Sequence, residues 1–484
     1  MEFIENKDIE KEQLKAIFRD MVKYSPSKIC GMLGNAIIIP IYTSILSPEQ
    51  YGLYSLSIAL LSFLCIIFSD WVGLSGLRFF KKSQLLENLP KYLSTLVIIL
   101  VSNLTLMFLL AVAFRHSFYD FFNIPAKYFL AILALIIPVA IRALLFQLLR
   151  AQLKATSYTV ATILNQILTI GLSVIFVKYF NMGTMGLLLG MGVSISFIDL
   201  LLIYQSNVKV WFKLQKIEWH FVLPLFKYGI PIAATSLSAW IINQSNKFIM
   251  NSISGFSEVG IVGVAYGLTL PLLMTIFSII TVAVIPRIIN MYEEKIDVRP
   301  LISRFTGYYI LTALPIILVI SMFSQDFVQM LSANEKFYIA YKLIPYFAFG
   351  TFFMALTDYT TLQYHLANKT YIDFIIKLLS GIVGVILNIV LIPKYGLIGA
   401  GIATLAANFL YFFLSIIIVL PGLQLEYPGR TILRMTISFI PFALLYYVFQ
   451  NILILPAFFE MCSLLVVFYL CYWCLSRTIL KRPL

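Results

Sequence analysis

Long apolar runs, separated by short polar segments, repeat along nearly the whole chain. Each run is long enough to cross a bilayer as a helix, which takes about 20 residues. The runs are continuous and do not alternate between apolar and polar positions, so they do not fit a transmembrane β-barrel. The pattern predicts fourteen spans with both termini on one side, at approximately 24–46, 53–73, 91–114, 127–149, 157–180, 184–204, 224–250, 257–285, 304–323, 342–365, 371–392, 396–420, 431–451 and 454–476.

The first 23 residues differ from the rest of the chain. They carry charges of both signs and no apolar core, so they do not read as a secretory signal. Leu14, Ile17, Phe18 and Met21 recur at helical spacing. This spacing predicts a short amphipathic helix lying on the membrane surface before the first span.

Composition supports the membrane assignment, with 61% hydrophobic residues, 12% charged residues and a mean hydropathy of +0.92. Such a chain is neither a soluble enzyme nor a disordered protein. The five cysteines all fall inside apolar runs, and the Cys471/Cys474 pair stands alone, so we expect buried thiols and neither a metal site nor a cofactor.

The net charge of +13 follows the predicted topology. Of the 35 Lys and Arg residues, 25 lie on the side of the termini, 7 lie on the opposite side, and Lys28, Arg142 and Lys377 lie within spans. Because basic residues concentrate on the cytoplasmic side of membrane proteins, both termini are predicted to be cytoplasmic. The basic excess then reflects topology, and we expect no nucleic-acid partner.

The chain also repeats itself at two nearly equal offsets. Gly52 aligns with Gly260 at an offset of 208, and Tyr158 aligns with Tyr371 at an offset of 213. Six spans separate the copies, so both enter the membrane in the same direction, as in parallel repeats that work by alternating access. The predicted parts are a cytoplasmic amphipathic segment (1–23), an N-terminal six-helix bundle (24–204), a cytoplasmic linker (205–223), a C-terminal six-helix bundle (224–420), and two additional helices with a cytoplasmic tail (421–484).

Four segments carry a resemblance to a known family. They are LSPEQYGLYS at 46–55, LRAQ at 149–152, YGIP at 228–231 and LNIVLIPKYGLIGAG at 387–401. In this order and spacing, they make the chain resemble the Wzx-type polysaccharide transporters. These are lipid-linked oligosaccharide flippases in the superfamily that also holds multidrug exporters and the lipid II flippase.

The resemblance implies a function. It predicts translocation of undecaprenyl-diphosphate-linked oligosaccharide across the bacterial inner membrane, for O-antigen of lipopolysaccharide, capsule or a related polysaccharide. No covalent bond is broken, so no enzyme activity is expected. The implied partners are this polyprenyl-linked cargo and the bilayer, with a coupling proton or sodium ion and a polysaccharide polymerase left open. Members often carry Asp-Arg where this chain has Asn246-Lys247, which puts ion coupling in question.

Polar residues inside spans are costly and serve as candidates for function. A diphosphate favours Lys and Arg, and a glycan favours amide side chains. The resemblance adds that spans 1, 2, 7 and 8 line the transport cavity. For Lys28 and Lys377, reaching out to the membrane interface is the alternative. The predicted substrate-binding residues are Lys28, Arg78, Arg142, Asn243, Gln244, Asn246, Lys247 and Lys377.

The acidic residues inside spans fall into three groups. Asp358 is the candidate for ion coupling, because burial can make a carboxylate protonatable. Asp70 and Asp199 are interpreted as packing or interfacial acids. Asp373 stands four residues before Lys377, a spacing that allows the two to pair on one helix.

Two other function classes remain open. A multidrug or metabolite exporter, or a lipid II flippase, shares the architecture, although fourteen spans favour a polyprenyl-lipid cargo over the twelve typical of drug exporters. A membrane polysaccharide polymerase is less favoured, because the outer loops are short and the sequence has none of the common phosphate-binding or metal-protease motifs.

Overall fold

The computed structural model describes residues 29, 31–85, 89–115, 122–152, 154–205, 219–423, 429–451 and 456–478. Within these ranges the chain is helical, and twelve helices are long and apolar enough to cross a membrane. The first part of the chain holds α1 (Gly31–Ile45), α2 (Pro48–Cys65), a π-helical turn (Ile66–Asp70), α3 (Trp71–Leu85), α4 (Leu89–Ala113), α5 (Ala126–Ala151), α6 (Ala155–Lys178) and α7 (Gly183–Gln205). The second part holds α8 (Trp219–Ser254), α9 (Phe256–Glu293), α10 (Arg299–Met322), α11 (Ser324–Leu331), a 3₁₀ helix (Glu335–Leu343), α12 (Ile344–Thr360), α13 (Leu362–Leu366), α14 (Thr370–Ile417), α15 (Gly429–Asn451) and α16 (Ala457–Thr478).

The sequence predicted fourteen spans, and the described residues hold twelve helices that are long and apolar enough to cross a membrane. Helix α14 is 48 residues long and breaks at Gly396, whose φ of 54° and ψ of −128° are open to glycine and strained for other residues. The break divides α14 into two spans, and α1 is a further, shorter apolar helix. The fold class is therefore confirmed: the protein is an all-α, polytopic membrane protein.

The tenth predicted span, 342–365, has a less regular structure than the sequence suggested. It begins as a 3₁₀ helix at Glu335 and is divided between α12 and α13 at Thr361. The hydroxyls of Thr360 and Thr361 both donate to the carbonyl oxygen of Thr357, at 2.9 Å each, and such back-bonding bends helices. The amphipathic segment 1–23, the start of the first span and the turn before α16 lie outside the described residues.

The helices form two compact units. The N-terminal unit comprises Pro40–Gly263 and Lys377–Ala400, and the C-terminal unit comprises the remaining segments, Met1–Ile39, Val264–Ile376 and Gly401–Leu484. This grouping rests on contacts, whereas the bundles 24–204 and 224–420 were expected from a repeat. Those bundle boundaries stay a prediction.

An aromatic core holds α3, α4 and α8 together in the N-terminal unit. Tyr92 is fully buried, stacks edge-on against Phe221 with 4.8 Å between ring centroids, and donates its hydroxyl to the carbonyl oxygen of Gly76 at 2.7 Å. Burying both the ring and its hydroxyl is favourable because the hydroxyl has a partner. Trp71 lies in the same cluster and starts α3, directly after the π-helical turn. The core thereby fixes the position of that turn.

Two glycines bring α2 and α9 into backbone contact in the same unit. A Cβ atom built on Gly52 would lie 1.7 Å from the carbonyl oxygen of Phe256, and one built on Gly260 would lie 2.1 Å from that of Pro48. No side chain fits at either position. Small residues allow membrane helices to approach in this way. The two residues aligned by the repeat therefore face each other.

The last two helices pack on α10 in the C-terminal unit. Buried Phe442 and Phe468, on α15 and α16, share a cluster with Val319 at the end of α10. The hydroxyl of Tyr469 also donates to the carbonyl oxygen of Thr312 at 3.2 Å. These helices are thus integral to the C-terminal unit.

Candidate anion-binding site

A polar cavity of about 420 Å³ lies inside the N-terminal unit, among helices that are otherwise apolar. It is at the end of the unit where α5 finishes and α6 begins. Polar groups at this depth of a membrane span are rare, and they mark candidate sites. The lining consists of Asp70, Val139, Arg142, Ala143, Phe146, Gln147, Arg150, Tyr158, Thr162 and Asn165.

A π-helical turn brings Asp70 to the cavity. The turn spans Ile66–Asp70 between α2 and α3, and turns of this kind often occur at functional sites. The hydroxyl of Ser69 donates to the carbonyl oxygen of Cys65 at 3.0 Å and to Oδ1 of Asp70 at 3.3 Å. The Asp70 carboxylate is therefore held locally while it remains half-buried against the cavity.

Helix α5 supplies both guanidinium groups. Arg142 and Arg150 are eight residues apart, so slightly more than two turns separate them on one face of the helix. Nη1 of Arg150 donates to Oε1 of Gln147 at 3.3 Å. This hydrogen bond directs the Arg150 side chain back along the helix toward Arg142. Arg142 is half-buried and Arg150 is exposed at the helix end. The cavity therefore carries positive charge from its depth to its mouth.

Helix α6 supplies neutral polar groups on the opposite wall. Tyr158 packs edge-on against Phe146, with 4.9 Å between ring centroids. The hydroxyl of Ser194 on α7 donates to the backbone oxygen of Asn165 at 2.9 Å and to its side-chain oxygen at 3.3 Å. The Asn165 amide is therefore held by a neighbouring helix, with its NH₂ group left as a donor.

Asp199 on α7 is the most unusual charged group near this site. The residue is only 4% exposed, and neither carboxylate oxygen has a hydrogen-bond partner among the described residues. Arg142 lies within electrostatic range of it and is the charged group that acts on it. Arg142 thus lines the cavity and also interacts electrostatically with a buried acid that is outside the lining.

The arrangement can bind an anion with hydroxyl-bearing substituents. Two guanidinium groups offer forked donors suited to phosphate oxygens, and the phenol, hydroxyl and amides offer hydrogen bonds to a sugar. A group of three or more His, Cys, Asp or Glu side chains that could hold a metal does not occur within the described part of the chain.

Among the described substrate-binding candidates, Arg142 alone lines this cavity. Arg78 is exposed in the middle of α3, with its guanidinium carbon 5.9 Å from the ring centroid of Tyr228. Lys377 is half-buried in the N-terminal unit. Lys28 lies outside the described residues.

The four polar candidates on α8 lie away from Arg78. Asn243 comes fifteen residues after Tyr228, a separation of about 22 Å along a helix. Its amide Nδ2 donates to the carbonyl oxygen of Ala239 at 3.0 Å. Asn246 and Lys247 are buried, and Gln244 is half-buried. These four residues are therefore not part of the cavity lining, and their role in binding stays a prediction.

Asp358 and Asp373 belong to the C-terminal unit. Asp358 is exposed on α12, so the burial on which its predicted role depends is not seen within this unit. Asp373 is buried, accepts a hydrogen bond from the Tyr411 hydroxyl at 2.6 Å, and lies 3.7 Å from Nε2 of His365. Asp373 is therefore part of a polar contact between α13 and the two arms of α14.

Sequence reasoning missed most of the cavity lining. Arg150 was read as part of a family motif, and Tyr158 as part of a repeat. The helical spacing of Arg142, Gln147 and Arg150 could have revealed one polar face on α5. The approach of Asp199 to Arg142 could not have been found in this way, because it depends on how α5 packs on α7.

Comparison of the sequence with known proteins identifies a family and one similar protein. The model of the family described as polysaccharide biosynthesis protein matches residues 18–292, which is more than half of the chain. An uncharacterized membrane protein of Methanocaldococcus jannaschii is 26% identical over 207 residues, or 42% of this chain. That match spans 47% of the relative, about half of its length.

Solved structures share the fold at low sequence identity. An inward closed conformation of the lipid II flippase MurJ aligns with a TM-score of 0.73 at 13% identity, covering 94% of this chain and 98% of that one. An inward-facing multidrug resistance transporter of the MATE family, in the MOP superfamily, aligns with a TM-score of 0.62 at 14% identity, covering 81% and 96%. The fold is thus that of these transporters, and on the match over residues 18–292 the chain belongs to the polysaccharide biosynthesis protein family.

Proposed function

We propose that the protein moves a lipid-linked saccharide across a bacterial cytoplasmic membrane. The cargo is an oligosaccharide joined to undecaprenol through a diphosphate, and it serves the assembly of O-antigen, capsule or a related polysaccharide. The observation that carries the proposal is the cavity with Arg142 and Arg150 inside a membrane unit of this family.

The physical reason lies in the headgroup. A diphosphate and a glycan are too polar to cross hydrocarbon unaided, since each polar group buried without a partner costs about 2–7 kcal/mol. The cavity offers two guanidinium groups for the phosphates and hydrogen-bonding groups for the sugar. The isoprenoid chain can stay in the bilayer while the headgroup is sheltered.

The position of the cavity favours loading from the cytoplasm. It opens at the end of the N-terminal unit next to Arg150 and Lys154, in one of the basic segments that the charge bias assigns to the cytoplasmic side. Arg78 and Lys377 would assist entry of the diphosphate at this side. The polar cluster at 243–247 on α8 would contact the glycan nearer the outer face.

Transport in this proposal requires no covalent chemistry. Translocation would be driven by an ion gradient, by the cargo gradient or by consumption of the product. The polymerase that uses the product is a proposed functional partner. In the C-terminal unit, Asp358 is the proposed coupling carboxylate.

The central test is Arg142→Ala in proteoliposomes. Loss of a charge-assisted contact of about 1.5–3 kcal/mol should lower the translocation rate about 10- to 100-fold. The substrate is a fluorescent undecaprenyl-diphosphate oligosaccharide, and translocation is measured as the fraction that becomes accessible to an impermeant reagent. Lys178→Ala is the matched control, because Lys178 is exposed at the opposite end of α6.

Three outcomes have distinct meanings. Loss of transport in Arg142→Ala with normal folding and normal transport in Lys178→Ala supports the proposal. Equal rates in the wild type and Arg142→Ala remove Arg142 from the cargo path. No transport of the lipid-linked oligosaccharide by folded wild type contradicts the proposal as a whole.

A second cargo follows from the fold. The alignment covers 98% of the lipid II flippase chain, so lipid II is the alternative cargo to test in the same vesicles. A multidrug substrate is the third, given the MATE structure. The preferred cargo is the one whose transport depends most strongly on Arg142.

A further inference from the structure

We infer that anion binding at Arg142 is linked to the binding of one proton at Asp199, a step that rests on the anion-binding role given to the cavity in the proposed function. The bound anion and the Asp199 carboxylate compete for the same guanidinium group. The anion takes Arg142, and Asp199 is then neutralised by a proton from water.

The first support is the isolation of Asp199. Its two oxygens are buried and accept no hydrogen bond from any described residue. Buried carboxylates are normally hydrogen-bonded, so a carboxylate without a donor requires an explanation. Burial disfavours the charge on Asp199, and the charge on Arg142 opposes that cost.

The second support is the set of charged and titratable groups on the packed helices. Arg142 comes from α5, Tyr158 from α6, Cys65 from α2 and Asp70 from the π-helical turn. Arg142 is the group that acts electrostatically on Asp199.

The third support is the access of Arg142 to the cavity. The Arg142 side chain lines a space of about 420 Å³, and Asp199 is not part of that lining. An anion in the cavity can therefore contact Arg142 without contacting Asp199. A guanidinium group that forms forked hydrogen bonds to an anion provides less electrostatic stabilisation to a carboxylate with which it has no direct contact.

The consequence is proton uptake. A single buried carboxylate that loses its counter-charge is strongly unfavourable, and in proteins such a group neutralises instead. Asp199 has no donor to stabilise its charge, so it takes up one proton and becomes a neutral acid. Written out, the carboxylate and one proton give the carboxylic acid, and the site gains one anion and one proton together.

Asp70 does not fit this role. It accepts a hydrogen bond from Ser69 at 3.3 Å and is half-buried beside the open cavity. Because Asp70 lines the anion cavity itself, the acidic control is Asp326, in the first turn of α11 in the C-terminal unit.

The linkage has a definite sign. Because the anion-bound form holds one more proton, affinity for the anion should rise as the pH falls. The dissociation constant should change about tenfold per pH unit over the range in which Asp199 exchanges its proton with anion binding. Above that range, ionised Asp199 retains Arg142 and the anion binds weakly.

The test uses sulfate as the probe, because its charge does not change between pH 5.5 and 8.5. The full chain is purified in detergent, and calorimetric titrations are run in two buffers with different heats of ionisation, which counts the protons taken up. We expect the wild type to take up about one proton per sulfate in the linked range. Asp199→Asn should bind sulfate tightly with no pH dependence, and Asp326→Asn, on α11 in the C-terminal unit, should keep the wild-type slope.

The outcomes are separable from those of the proposed function. Wild type without proton uptake, or Asp199→Asn with an unchanged pH slope, overturns the linkage. Absence of sulfate binding at every pH overturns it as well. If the linkage is absent while the lipid-linked saccharide is still transported, the proposed function stands; if sulfate and proton bind together but no saccharide moves, the proposed function fails. Proton counting in the wild type keeps the test decisive if Asp199→Asn does not fold.

Discussion

At the scale of single residues, position relative to neighbouring helices decides what a charged group does. Asp199 and Asp70 both lie in apolar spans and look alike in the sequence. The structure gives Asp70 a hydroxyl donor and gives Asp199 none. Asp373, a third such acid, has the Tyr411 hydroxyl at 2.6 Å. Three similar positions in the sequence therefore carry three different chemical environments.

One substitution can distinguish the proposed coupling role of Asp358 from the proposed proton uptake at Asp199. Asp358 lies in the C-terminal unit, apart from the residues that form the cavity. We expect Asp358→Asn to abolish the dependence of transport on an imposed ion gradient, because the amide cannot exchange a proton or bind a cation in its place. Sulfate affinity and its pH slope should stay as in the wild type. The measurement is transport in proteoliposomes with and without a gradient.

The opposite result would mean that a residue other than Asp358 couples transport to the ion gradient. If Asp358→Asn keeps full gradient dependence, its proposed role ends. Gln363→Glu is not a useful control for Asp358→Asn, because the Gln363 side chain makes structural hydrogen bonds. Its Nε2 donates to the carbonyl oxygen of Ser415 on α14, and its Oε1 accepts from the backbone N–H of Leu420. Asp326→Asn is preferable, because Asp326 lies in the first turn of the short helix α11 outside the long spans.

At the scale of elements, the backbone contact between α2 and α9 is the tightest feature of the N-terminal unit. Ser47 caps α2, with its hydroxyl accepting from the backbone N–H of Gln50 at 3.2 Å, so the start of the helix is fixed. Gly52 then meets the first turn of α9 with no space for a methyl group. The two helix starts are therefore aligned by main-chain contact.

We expect Gly52→Ala to weaken the folded protein. The added methyl group would overlap the Phe256 carbonyl and force the helices apart, a cost of about 1–3 kcal/mol for overpacking. Gly171→Ala is the control, because nothing lies within 4 Å of a Cβ at that helical position. Thermal unfolding in detergent measures both. Equal midpoints for the two variants would mean that the contact does not exist in solution.

The sequence predicted the elements better than the site. Continuous apolar runs define spans because hydrocarbon forces backbone groups to pair within a helix, so the helices follow from composition alone. Gly52 and Gly396 were identified from their repeat and motif positions. The π-helical turn before Asp70 has no marker in a linear pattern, since it changes the rotation of α3 by an inserted residue. The electrostatic interaction between Arg142 and Asp199 could not be predicted from the sequence, because it depends on how α5 packs on α7.

At the scale of the whole molecule, topology connects the cavity to a membrane face. The positive-inside bias predicts cytoplasmic termini and a cytoplasmic cavity mouth. Single cysteines introduced at Lys154 and at Lys394, in a background without the five native cysteines, should label from opposite sides of intact cells. We expect an impermeant maleimide outside the cells to reach Lys394→Cys and to miss Lys154→Cys.

The reverse labelling pattern would invert the orientation of every span. It would place the mouth of the cavity on the outer face and would contradict loading from the cytoplasm. Labelling of both sites from the same side would instead show that the number of spans between them is wrong. A permeabilised sample, in which both cysteines react, serves as the control for reactivity.

The glycine contact between α2 and α9 limits how this end of the protein can move. Where side chains meet, rotamer changes let two helices slide past one another in small steps. Here carbonyl oxygens sit against Cα atoms, so sliding would produce a clash almost at once. The two helix starts can therefore stay in contact or separate completely. An opening at this point would be a transition between two states and not a gradual movement through many intermediate positions.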